Sequence, residues 1–158
     1  MTIDWTRLIR VRERHKLGAL EAVALERETA ALRDSEARRA REAFEHQAAA
    51  QAELWRSTTS QPDGLSVDSL RRTSRWSRAL DTQIAQAGQA ARQAQERAEQ
   101  QLLRLEESRR HLRAAVGDLD KAERLQREMR AAQRRDAEER LQDAAEEIGV
   151  QAWSARKV

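Results

Sequence analysis

The sequence predicts an all-α fold: two long helices forming an antiparallel coiled-coil hairpin, the second helix the longer. Three observations carry this. More than half of the 158 residues are Ala, Glu, Lys, Leu or Arg, the composition of long helices and coiled coils. Gly and Pro, which punctuate loops, number only five and one, too few for the many tight turns of a strand-rich fold. Aromatic residues make up 3% of the chain, with four Trp, one Phe and no Tyr, which leaves little bulk for a central globular core.

The first helix is expected over about 4–56, a stretch without proline and with a single glycine, Gly18. Steps of four and three from Val11 run through His15, Gly18, Ala22, Leu25, Thr29 and Leu32, an apolar seam that frays beyond Leu32. The hairpin loop is placed at about 57–65, in Ser57-Thr58-Thr59-Ser60-Gln61-Pro62-Asp63-Gly64, which holds the only proline.

Ser66 fits the N-cap of the second helix, and Gly149 fits the residue just past its end, so that helix is expected over about 66–148 with a tail at 149–158. Its seam runs Leu80, Ile84, Ala87, Ala91, Ala94, Ala98, then a second four-residue step to Leu102, and on through Leu105, Arg109, Leu112, Val116 and Leu119. Two successive steps of four are a stutter, which locally unwinds a supercoil.

A short connection makes the helices antiparallel neighbours, setting Leu32 near Ala94, Leu25 near Leu102 and Val11 near Val116. The second helix then overhangs the first by about thirty residues. The overhang, from about Lys121, carries Leu125, Met129, Leu141 and Ile148 with no partner in the same chain. The whole of 1–158 is read as a single coiled-coil domain.

The absence of Cys excludes disulfides and thiolate metal clusters. No uninterrupted apolar run approaches the ~18 residues of a membrane span, and the opening MTIDWTRLIRVRERH lacks the plan of a secretory signal; a cytoplasmic protein is expected, without direct membrane insertion. The pI of 10.1 reflects 30 basic residues, 27 of them Arg, against 27 acidic ones, a formal net charge of only +3. Acids and bases alternate almost throughout, whereas phosphate binders concentrate positive charge on one face. No nucleic-acid partner is expected on this ground.

Enzyme signatures are missing: there is no glycine-rich phosphate loop, no G-x-S-x-G, no H-E-x-x-H and no Cys nucleophile. No catalytic residue, cofactor or metal is expected. His15 and His111 fall opposite each other in the hairpin register and would make a metal or pH-sensitive pair, or two seam-edge histidines; no second pair of ligands has zinc-like spacing. Two segments are locally positive. One holds Arg7, Arg10, Arg12, Arg14 and Lys16; the other holds Arg71, Arg72, Arg75 and Arg78. Each reads as a solvated flank or as a docking surface for an acidic protein.

The large aromatics flank the turn. Phe44 and Trp55 lie eleven positions apart on one helical face, with Ala48 and Gln51 between them; Trp76, Leu80, Gln83 and Ala87 repeat the spacing after the turn. In a two-helix structure such rings lock the helices together or anchor a partner.

This double motif, Phe44-x3-Ala48-x2-Gln51-x3-Trp55 and Trp76-x3-Leu80-x2-Gln83-x3-Ala87, resembles in spacing the export-gate surface of the stalk proteins of type III secretion, the flagellar FliJ and injectisome YscO family. The stretch Arg75 to Ile84 is the most similar, with Leu and Ile four and eight positions after its aromatic. The flagellar pattern has tyrosines before the turn where this chain has Gln51 and Trp55, and it differs at Gln83 and Ala87. Together with the Arg-rich composition, this resembles an injectisome member more than a flagellar one.

The resemblance implies a non-enzymatic central stalk that inserts into a hexameric secretion ATPase, promotes its assembly or activity and couples it to the cytoplasmic part of the export-gate membrane protein. It places the protein in the cytoplasm, peripherally associated with the inner-membrane export apparatus. Secretion chaperones, bound by some relatives, are a further class of partner. The end holding both termini, with Arg7, Arg10, Arg12, Arg14, Leu125, Met129 and Leu141, is the candidate to face the ATPase. The alternatives from the residues alone are a homodimeric coiled-coil scaffold, in which the overhanging stripe pairs with itself, and an Arg-rich helical nucleic-acid binder.

Overall fold

A computed structural model describes residues 4–60 and 66–155. It shows two long helices, α1 (Trp5–Thr59) and α2 (Val67–Ala155), packed against each other as a helical hairpin with the second helix longer. Pro62, Asp63 and Gly64 of the expected turn lie outside the described residues.

Both helix starts are capped by side chains. Asp4 Oδ1 accepts from the Arg7 backbone N–H at 3.0 Å, and Ser66 Oγ accepts from the Ser69 N–H at 3.1 Å. The cap expected at Ser66 is present. Each oxygen satisfies a donor that the first helical turn leaves open.

Both helices run further than the sequence pattern indicated. At the end of α1 the hydroxyl run Ser57-Thr58-Thr59 continues the helix, because its side chains bond back onto the last carbonyls. Ser57 and Thr58 donate to Leu54 O at 3.0 and 2.8 Å, and Thr59 donates to Trp55 O at 3.0 Å. Hydroxyls that compete with helix elsewhere can also back-bond within it. α2 passes through Gly149, which has no left-handed backbone angle. A helical glycine costs only about 1 kcal/mol relative to Ala, and the flanking Glu, Gln and Ala residues carry the helix onward.

By contact the chain divides into two compact units, one spanning Glu21–Arg110 and the other joining the N-terminal residues up to Leu20 with the chain from His111 on. In the first, Glu26 meets Gln101, Phe44 meets Gly88, Gln51 meets Ser77 and Thr58 meets Thr73. Numbers rise along α1 as they fall along α2, so the helices are antiparallel. In the second unit, Arg12 Nη1 pairs with Asp118 Oδ2 at 2.9 Å.

The seam of α1 lies one residue beyond the expected one. Its inward positions are Arg12, Lys16, Ala19, Val23, Glu26, Ala30, Arg33, Ala37, Ala40, Phe44, Gln47, Gln51, Leu54 and Thr58, all buried or half-buried and spaced alternately four and three apart. Val11, Leu25 and Leu32, expected in the seam, are 40%, 64% and 64% exposed. One residue is about 100° of helix rotation, enough to move each Leu onto the flank. The expected pairing of Leu25 with Leu102 therefore does not form.

In α2 the expected seam is correct from Leu80 to Ala98 and at Leu105, Leu112 and Leu119, but the stutter is absent. Gln101, 6% exposed, takes the position assigned to Leu102, which is 58% exposed. Ser108 is half-buried where Arg109 was expected. The alternation of four and three thus continues unbroken through polar residues. Buried Ala30, Ala37, Ala98 and Ala122 line the interface together with the equally buried Leu105 and Leu119, so the core is a mixture of small residues and leucines rather than a continuous row of bulky side chains.

Candidate interaction surfaces

Around the distal aromatics the hairpin presents two different faces. On one, Phe44 is half-buried and packs on Gly88: a Cβ at Gly88 would lie 3.2 Å from Phe44 Cε2. Two turns further on, Gln51 Nε2 donates to Ser77 Oγ at 3.1 Å and also to Asp81 Oδ1. Trp55, 38% exposed, donates from Nε1 to the same Ser77 Oγ at 3.1 Å. Phe44, Gln51 and Trp55 are thus engaged across the hairpin, with Ala48 half-buried beside them.

Trp76 stands apart from this group. It is 67% exposed, while Leu80 and Ala87 are half-buried seam residues and Gln83 is exposed. Trp76 and Asp81 are five positions apart, about 140° around α2. Because Asp81 lies on the side bonded by Gln51, Trp76 projects from the other flank. The two aromatic clusters therefore do not form one continuous patch. Asp68, Arg71, Arg72 and Arg75 line a shallow polar cleft just before Trp76, giving its neighbourhood a positive charge.

The sequence reading did not single out Ser77, Asp81 and Gly88, the α2 side of the locked face. Ser77 and Asp81 read as ordinary polar positions, and Gly88 interrupts an Ala-rich helix only to admit the Phe44 ring.

At the terminal end Arg7, Arg10 and Arg14 are exposed, whereas Arg12 is half-buried in its ion pair with Asp118. Leu125, Met129 and Leu141 are 49%, 47% and 71% exposed. Every residue from 132 to 153 is exposed, so an uncovered segment of α2 is present, but it begins about ten residues later than the expected Lys121: Ala122 is buried, and Ile9 of α1 lies against Glu123, Gln126 and Arg127. His15 and His111 both lie on exposed positions, and among the described residues no group of three or more His, Cys, Asp or Glu side chains is placed to hold a metal ion. None of the described helices is long and apolar enough to cross a membrane.

No family model, curated protein or solved structure matches this chain.

Proposed function

We propose that this chain is a non-enzymatic stalk of a type III secretion system, seated in a hexameric secretion ATPase by its terminal end and coupling that ring to the cytoplasmic part of the export gate. The observation that carries the reading is the form of the hairpin: two unequal helices, an uncovered end of α2, and near the turn one large aromatic, Trp76, that is two-thirds exposed. Its two faces near the turn divide the labour. Phe44, Gln51 and Trp55 hold α1 against α2, and Trp76 is the gate-facing anchor, with Arg72 and Arg75 beside it complementing an acidic partner. At the other end Arg7, Arg10, Arg14, Leu125, Met129 and Leu141 supply the ATPase-facing surface. Such a protein works in the cytoplasm at the inner-membrane export apparatus, and secretion chaperones are further partners.

The gate assignment is tested by Trp76→Ala. Because Trp76 is 67% exposed, the substitution should change hairpin stability by no more than about 0.5 kcal/mol while weakening binding to the cytoplasmic domain of the gate at least tenfold by calorimetry. Unaltered affinity removes Trp76 from the interface. Leu80 is a less selective probe, since its half-burial couples any loss of binding to a loss of packing.

A further inference from the structure

The uncovered part of α2 has an order that reads the same in both directions. Leu119, 6% exposed, belongs to the face that α1 covers. At 100° per residue, Ala137, Leu141, Ala144 and Ile148 fall within about 40° of Leu119 around the helix, so they continue that face beyond the start of α1. There Leu141 is 71% and Ile148 67% exposed. The steps between the four residues are four, three and four, a palindrome, and the side chains alternate small and large.

We propose that this stripe binds the same stripe of a second copy of the chain, antiparallel and about a two-fold axis. Reversal of the order sets Ala137 against the second copy's Ile148, and Leu141 against the second copy's Ala144. Each large side chain meets a small one, as Phe44 meets Gly88 inside the hairpin. A two-fold contact of this kind is self-complementary and closes at two chains.

Charge selects the same arrangement. Arg140 and Glu147 each precede a large stripe residue by one position and so share one flank. In an antiparallel pair like flanks meet, and Arg140 faces the second copy's Glu147 twice over, once on each side of the axis. On the opposite flank Glu138 meets Ala145, so no like charges are opposed. A parallel pair would set Ala137 on Ala137 and Leu141 on Leu141, leave voids at alternate layers, and give Arg140 the uncharged Ala145 as its neighbour. Both the packing and the ion pairs therefore favour the antiparallel second copy as occupant. Pairing occupies Leu141, so a chain in the pair cannot offer that residue to a third protein. The pairing stands independently of the stalk reading, because it is a property of the isolated chain.

The test is the mass of the full-length protein by sedimentation equilibrium, from roughly 1 to 200 μM, the range suited to a small interface. Mass should rise from the 18.1 kDa of one chain to twice that value. Arg140→Glu and Glu147→Arg should each weaken pairing roughly tenfold, since each replaces two attractions by two repulsions. The double reversal R140E/E147R should restore it to within about twofold of the original. Leu141→Asp should abolish pairing. A single-chain mass throughout, a mass beyond two chains, a pair that survives Leu141→Asp, or a double reversal no better than the singles would each overturn the proposal.

Discussion

Gln101 of α2 is buried in the seam and donates from Nε2 to the carboxylate of Glu26 on α1. A buried polar pair in a helix–helix seam fixes how two helices line up, at a cost in stability. Glu26 is half-buried and can turn to water if its donor is removed. Gln101→Leu should therefore raise the unfolding free energy by about 1 kcal/mol, and Gln101→Ala, which loses both bulk and hydrogen bond, should lower it by about 1 kcal/mol. Urea denaturation measures both.

The glycines of the helices should separate into two kinds. Gly117 has nothing within 4 Å of where a Cβ would stand, so Gly117→Ala should stabilise by about 0.5–1 kcal/mol through lost freedom of the unfolded chain. At Gly88 the added methyl meets Phe44 Cε2 at 3.2 Å and Cδ2 at 3.4 Å. The same substitution there should gain less than at Gly117 or become unfavourable, and Gly88→Val should cost about 1–3 kcal/mol. Combining Gly88→Ala with Phe44→Leu should recover part of the loss, a coupling that a double-mutant cycle in urea reads directly.

Near the turn, Thr58 and Thr73 are both buried with their hydroxyls 2.9 Å apart. Thr58 spends its proton on Leu54 O, so Thr73 is the donor between them. Thr73→Val should cost about 1 kcal/mol by leaving the Thr58 oxygen without that donor. The double replacement of Thr58 and Thr73 by Val should cost less than the two single changes added, as thermal unfolding of the three variants would show.

The helices were legible in the sequence because their signals are local: a helix-forming composition, one proline, and Ser66 as a cap. The seam was harder to read because it depends on the partner helix. Leu25, Leu32 and Leu102 drew the expected stripe by their hydrophobicity, yet which residues face inward is decided by the register of the two helices, and Leu105 and Leu119 are the leucines it buries. Ala30, Ala37 and Ala98 take the seam and the three expected leucines lie on its flanks. Gln101 and Thr58 show the same from the polar side, since each is buried only because a specific residue on the other helix satisfies it. That α2 overhangs was legible because it follows from helix lengths, but its start was placed about ten residues early, since Ala122 is buried and Ile9 reaches Gln126 and Arg127. The joint aromatic patch was not, because a one-residue difference in seam position decides which flank a side chain leaves from, and Trp55 and Trp76 leave from opposite ones.

The most direct test of the stalk reading is the hydrolysis rate of the hexameric ATPase from the same secretion system, followed across a titration of the full-length chain at enzyme concentrations that straddle hexamer assembly. The account predicts saturable stimulation, strongest where the hexamer is half assembled, and reduced when Leu125 and Met129, both exposed and outside the self-pairing stripe, are together replaced by Ser. An unchanged rate at every concentration of the chain, with an ATPase otherwise able to assemble and turn over, would contradict it.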